Sequence, residues 1–157
     1  PALAVDRIKE IVDTLKKYFI ITEGIGLELH PDNVTIPVLN KLKEAGVTKL
    51  SIGIQSFQDK YRNILGRKTA DEEKIFAALT EVSFETVSMD FIFALPNQTY
   101  DDLKNDIVLA FSHGANHIAI YPFIDFTFAN NEYKPMNKKT KKAKNTETEI
   151  SGAEGIM

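Results

Sequence analysis

Short apolar runs alternate with stretches of helical periodicity along most of this chain. Strand-like runs fall at 25–29, 48–55, 86–93 and 116–121. Side chains two apart in a strand share a face. One face of the first three runs is therefore oily: Ile25, Leu27 and Leu29, then Leu50, Ile52 and Ile54, then Val87, Met89 and Phe91. The other face repeats a small residue followed by a polar one: Gly26 and Glu28, Gly53 and Gln55, Ser88 and Asp90. In the fourth run Ile118 and Ile120 oppose Ala119 and Tyr121. A solvent-facing strand would carry charges and threonines on its polar side. The observed pattern instead predicts strands backed by helices, with the other face surrounding a tight, polar, ligand-holding space.

Between the strands the apolar period lengthens to that of a helix. Val5, Ile8, Ile11, Val12 and Leu15 mark a helix over 3–17. Thr35 is positioned to cap a second, with Val38, Leu39, Leu42 and Ala45 inward and Gly46 as its stop. A short helix over 58–65 leads to Gly66-Arg67. Thr69-Ala70-Asp71-Glu72 reads as a capping box before a helix bearing Ile75, Phe76, Leu79 and Val82. Pro96-Asn97-Gln98 forms a loop, Thr99 caps a helix with Leu103, Ile107, Ala110 and Phe111, and Gly114 ends it. Four strand–helix alternations imply parallel strands joined by right-handed crossovers. A doubly wound sheet buries both faces and shows continuous apolar runs. One small, polar face favours an α/β fold that is a partial (β/α) barrel. A closed eight-strand barrel takes about 250 residues, so this chain supplies about half of one.

Composition narrows the function. The chain has 157 residues, 43% hydrophobic and 26% charged, enough for one domain with a core. A net charge of −3 supplies no field for nucleic acid or an anionic membrane. No apolar run approaches the ~18 residues of a membrane span, and no secretory leader is visible, so a cytoplasmic location is expected. There is no cysteine, hence no disulfide and no thiolate-held iron–sulfur cluster within these residues. The barrel segment is expected over 1–136. From 137 to 157 the apolar period vanishes into Lys138, Lys139, Lys141, Lys142 and Lys144, then Thr146, Glu147, Thr148 and Glu149, which reads as a disordered, Lys-rich tail. The start at Pro1 suggests an internal segment of a longer protein.

Glu28, Gln55 and Asp90 fall at or near the C-terminal ends of their strands, where parallel α/β folds bind ligands. They either share a ligand or hydrogen-bond neighbouring backbone and each other, since a buried carboxylate needs partners. Arg67 can grip a carboxylate bidentately or serve as a surface arginine. His113 and His117 have the spacing of a helical metal pair, but Gly114 interrupts them and no third ligand is evident. His30 either lines the cavity or is a loop histidine. No Ser-His-Asp order, phosphate loop or dinucleotide fingerprint is present.

Several segments carry a family resemblance. Glu44-Ala45-Gly46-Val47-Thr48-Lys49-Leu50-Ser51-Ile52-Gly53-Ile54-Gln55-Ser56-Phe57 is close to "EAGVxRLSIGxQSF", and Leu65-Gly66-Arg67 matches "LGR". The run from Met89 to Thr99 resembles "IDLIYGLPGQT", and His117–Pro122 resembles "HISLYPL". Together they resemble the radical S-adenosylmethionine enzymes of the oxygen-independent coproporphyrinogen III oxidase type, a group that includes related heme chaperones. The resemblance spans roughly residues 20–135 and does not separate oxidase from chaperone. It implies a six-stranded partial barrel and a [4Fe–4S] cluster on a CxxxCxxC loop after the first strand. It also implies reductive cleavage of S-adenosylmethionine to a hydrogen-abstracting radical. In the oxidase, two propionates of coproporphyrinogen III become vinyls, giving protoporphyrinogen IX, with electrons from a donor protein. The family's S-adenosylmethionine contacts carry over to Glu28, Gln55, Arg67 and Asp90, with a backbone contact at Ile124. The chain departs from the pattern in lacking the cluster loop. It is also about two residues short around Val82-Ser83-Phe84, where the helix is expected to end abruptly after Glu81, and it has Ala94 in place of a glycine. It is expected to be inactive alone.

Overall fold

The computed structural model describes residues 4–67 and 71–124. The chain divides into Pro1–Phe123 and Ile124–Met157. The architecture below is that of the first unit, and of the second only Ile124 is described. The expected domain boundary after 136 and the Lys-rich tail lie outside the described residues.

Helix α1 (Val5–Tyr18) precedes β1 (Gly26–Leu29), and α2 (Ile36–Glu44) leads to β2 (Lys49–Gln55). The short α3 (Asp59–Ile64) and then α4 (Glu72–Glu81) connect to β3 (Thr86–Phe93). Helix α5 (Tyr100–Ser112) connects to β4 (His117–Pro122). The sheet is parallel throughout, in the order β1-β2-β3-β4. Right-handed crossovers that never reverse direction stack their helices on one face of the sheet. That is the winding of a barrel segment, and it agrees with the expected fold.

The oily face meets the helices. Leu29, Leu50, Ile52, Ile54, Val87, Met89 and Phe91 are buried in one core with Leu39, Leu42, Ile75 and Leu79. Each such side chain contributes ~1.5–3 kcal/mol on burial, so this face dictates which way every strand turns. Two polar clamps then set the strand register. Thr48 accepts the Ile25 N–H through Oγ1 (3.2 Å), and Gly24, at φ +80°, passes so close that a Cβ would overlap that hydroxyl. Asn116 accepts the Val87 N–H (2.8 Å) and donates to the Glu85 carbonyl (2.8 Å).

Caps differ from expectation in two places. Asp71, not Thr69, is the N-cap of α4, accepting the Lys74 N–H at 3.1 Å. Its carboxylate, immediately before the first helical residue, reaches the orphan donor directly; Thr69 itself lies outside the described residues. Thr35 stands at the N-cap of α2 without a side-chain bond, and Pro37 removes one orphan donor there. Thr99 forms a full capping box with Asp102. Helix α4 does end at Glu81, and four residues carry the chain into β3.

Candidate functional site

The polar face encloses an open cavity of about 380 Å³, with Glu28, Lys49, Ser51, Ser88, Asp90 and His117 among its lining residues. Register explains the assembly. Glu28 lies beside Ser51, Ser51 beside Ser88, and Ser88 beside His117. One lateral row thus crosses all four strands, with a carboxylate at one end, an imidazole at the other and two hydroxyls between. At a strand spacing of ~4.8 Å the row spans ~14 Å.

Asp90 sits one step further along β3 and is buried, at 8% exposure. Ser51 Oγ donates to its Oδ2 at 2.6 Å, and Ser88 Oγ to its Oδ1 at 3.1 Å. The hydroxyls compensate the cost of burying the charge. His117 Nδ1 approaches Ser88 Oγ at 3.0 Å. A nucleophilic triad needs the carboxylate on the histidine and the histidine on the serine. Here the carboxylate bonds the serine itself, so the constellation is not the relay that generates a serine nucleophile.

The five residues singled out by resemblance occupy different places. Glu28 and Asp90 line the cavity. They are not at equivalent levels: Glu28 aligns with Ser51, Asp90 with Ala119, and Asp90 is followed by three further strand residues. Gln55 ends β2 at φ +70°, beyond an irregularity that brings it opposite Phe91. Its amide folds back over Gly53, where a Cβ would meet Nε2 at 2.9 Å. The small-then-polar pair on β2 is thus a glycine making room for an amide. A non-glycine residue at positive φ stores strain, a feature that clusters at ligand sites. Arg67 is exposed and outside the cavity lining, its backbone N–H bonded to the Arg62 carbonyl. Ile124 is exposed and belongs to the second unit.

The histidine pair separates. His113 caps α5 and stacks on Phe76 at 3.9 Å, whereas His117 lines the cavity. His30 is a loop residue that accepts the Asp32 N–H. Among the described residues no group of three His, Asp or Glu side chains could hold a metal. With no cysteine either, these residues do not fit a [4Fe–4S] cluster.

Beneath the C-terminal end of β2 lies a second polar cluster that the sequence did not reveal. Asp106 of α5 accepts from Ser56 Oγ (2.6 Å), the Phe57 N–H (3.3 Å) and Gln58 Nε2 (3.3 Å). Burial raises the Asp106 pKa above its ordinary value, opposed by hydrogen bonds from Ser56, Gln58 and Phe57. Arg62, also buried, donates from Nε to the Ser56 carbonyl (2.7 Å) and pairs with Glu72 (2.9 Å). The cluster holds the turn that follows Gln55. Nearby, Lys60 and Tyr61 bind Asp102 at 2.7 and 2.6 Å and hold its carboxyl well below the usual carboxylate range, the Lys60 bond contributing most.

Ser51, Ser88 and His117 join the site beyond the residues singled out by resemblance. Their signal was available in strand alternation, but only the register shows that they form one row.

Comparison with known proteins adds the family. The model described as the Radical SAM superfamily matches residues 1–110. The heme chaperone HemW of Bacillus subtilis (strain 168) is 33% identical over 128 residues, covering 78% of this chain and 34% of that protein. The oxygen-independent coproporphyrinogen III oxidase of Escherichia coli (strain K12) is 36% identical over 78 residues, covering 48% and 17%. In structure, the Escherichia coli coproporphyrinogen III oxidase HemN, described as a radical SAM enzyme, aligns at TM-score 0.69 and 22% identity over 95% of this chain and 36% of its own. The chain spans about a third of the length of the heme chaperones it matches.

Proposed function

The chain belongs to the radical SAM superfamily, and on that premise we propose that its polar face is part of an S-adenosylmethionine-binding wall in a protein that handles a porphyrinogen or heme. The observation that carries this reading is the pair of carboxylates on a hydroxyl-lined cavity, Glu28 and Asp90. S-adenosylmethionine offers an ammonium, ribose hydroxyls and a carboxylate. Glu28 and Asp90 suit the donors, and the Gln55 amide can both give and accept. Arg67 suits the carboxylate as a bidentate partner. The bound cofactor supplies hydrogen-abstracting power; the side chains bind and orient it. No step is assigned to a cluster, because the residues present do not fit one.

Two whole-protein activities follow. The heme-chaperone relative matches 78% of the chain, which favours heme binding and transfer. The oxidase relative is 36% identical over its shorter match, which favours oxidative decarboxylation of coproporphyrinogen III with an electron-donor partner. Both readings place the protein in the cytoplasm. No helix among the described residues is long and apolar enough to cross a membrane.

Calorimetric titration of the 157-residue chain with S-adenosylmethionine tests the wall. Saturable binding, weakened more than about tenfold by Asp90→Ala, is expected, as loss of a charged hydrogen-bond acceptor implies. A folded chain that gives no saturable heat would overturn the reading. Heme transfer against vinyl formation, measured on the full-length protein, separates chaperone from oxidase.

A further inference from the structure

We propose that His117 is a further ligand-binding, specificity-determining residue of this cavity, its Nε2 accepting a hydroxyl or ammonium donor from the ligand. The inference rests on the S-adenosylmethionine reading for the identity of that ligand, but its geometry is independent.

An ionised carboxylate only accepts, and a serine has a single hydroxyl proton. Ser51 gives its proton to Asp90 Oδ2 and Ser88 gives its proton to Asp90 Oδ1. Ser88 Oγ therefore has nothing left to donate to His117. The 3.0 Å contact must run the other way, with His117 Nδ1–H donating to Ser88. In that arrangement a neutral imidazole carries its proton on Nδ1 and a lone pair on Nε2. Among the described residues Nε2 has no hydrogen-bond partner, and His117 lines the cavity.

The placement is set by the fold rather than by the histidine's surroundings. The Asn116 clamp on Val87 and Glu85 fixes the start of β4 against β3. That register puts His117 beside Ser88 and Ala119 beside Asp90. Ala119 is small, so no side chain of length screens Asp90 from the β4 side. The wall thus presents two acceptors on neighbouring strands, the remaining lone pairs of Asp90 and the Nε2 of His117. A ligand bearing paired donors, such as a vicinal diol or an ammonium beside a hydroxyl, matches them.

The test uses the 157-residue chain and S-adenosylmethionine as the probe. His117→Asn keeps an N–H near the Nδ1 position and deletes the Nε2 acceptor; His117→Phe deletes both. Circular dichroism first establishes that each variant is folded. Both variants are expected to bind about tenfold more weakly than the parent, the loss of one hydrogen bond. Parental affinity in His117→Asn with loss only in His117→Phe would reduce His117 to a support for Ser88 and overturn the proposal. Parental affinity in both variants would also overturn it, while leaving the S-adenosylmethionine reading intact. Failure of the parent chain itself to bind would remove that reading and this inference with it. In the unliganded chain, ¹⁵N chemical shifts of the imidazole are expected to show the proton on Nδ1. A proton on Nε2 would overturn the acceptor role regardless of any titration.

Discussion

Asp90 and Asp106 each accept a serine hydroxyl at 2.6 Å, from Ser51 in one case and Ser56 in the other. Both are buried, at 8% and 2% exposure. They differ in what remains of their hydrogen-bonding capacity. Asp106 takes a hydroxyl, a backbone N–H and a side-chain amide, and is enclosed where α5 meets the turn after β2. Asp90 takes one hydroxyl per oxygen and faces a cavity. The first carboxylate is used by the protein to hold itself together. The second leaves lone pairs facing the cavity. Similar residue pairs therefore acquire different roles from the surface on the far side of the carboxylate.

The largest expected separation is in a pair of alanine substitutions. Asp106→Ala strands two buried donors, the Ser56 hydroxyl and the Phe57 N–H, and is expected to cost ~2–4 kcal/mol in denaturant unfolding. Asp90→Ala frees two serines beside an open cavity that water can enter. Its stability cost is expected to stay within ~1 kcal/mol while ligand affinity collapses. Equal stability losses in the two variants would erase the distinction.

A smaller effect is expected in the pH dependence. The Asp106 pKa is raised above its ordinary 3.8 in the folded state, by burial foremost. The group's contribution is therefore complete below that value and is lost as pH rises through the folded pKa. Replacing it with a group that cannot ionise removes the loss. The stability of Asp106→Asn relative to the parent should rise with pH across this interval. Asp102 has the opposite sign, because Lys60 above all lowers its pKa. Its contribution is present above the ordinary carboxylate value and fades as pH falls, so Asp102→Asn should flatten the acid limb of the curve. Unfolding midpoints followed from pH 3 to 7 in both variants would check the two signs.

The smallest effect concerns the loop after β3. Ala94 sits at φ +61°, where a Cβ is unfavourable. Ala94→Gly should stabilise the chain by ~0.5–1 kcal/mol, the relieved strain exceeding the added unfolded-chain entropy. A neutral or destabilising result in thermal unfolding would show that the surrounding loop, not the residue, sets this conformation.

The sequence itself determined the element order, the strand faces and the winding. Alternation of period two and period 3.6 is a local property, and Leu50, Ile52 and Ile54 bury the same face wherever β2 is placed. It also picked out Glu28 and Asp90, because a small residue followed by a polar one has little reason to appear on a solvated strand. Only the tertiary structure decided the rest. The α4 cap falls on Asp71 because capping depends on which residue directly precedes the first helical turn. The row Glu28–Ser51–Ser88–His117 exists only through inter-strand register, which Thr48 and Asn116 pin across gaps of 23 and 29 residues. Burial of Asp106 against Ser56 likewise joins residues 50 apart. Periodicity reports which way a side chain faces along its own strand. Which side chains become neighbours across strands depends on hydrogen bonds and packing between distant segments, and these are set only when the sheet forms.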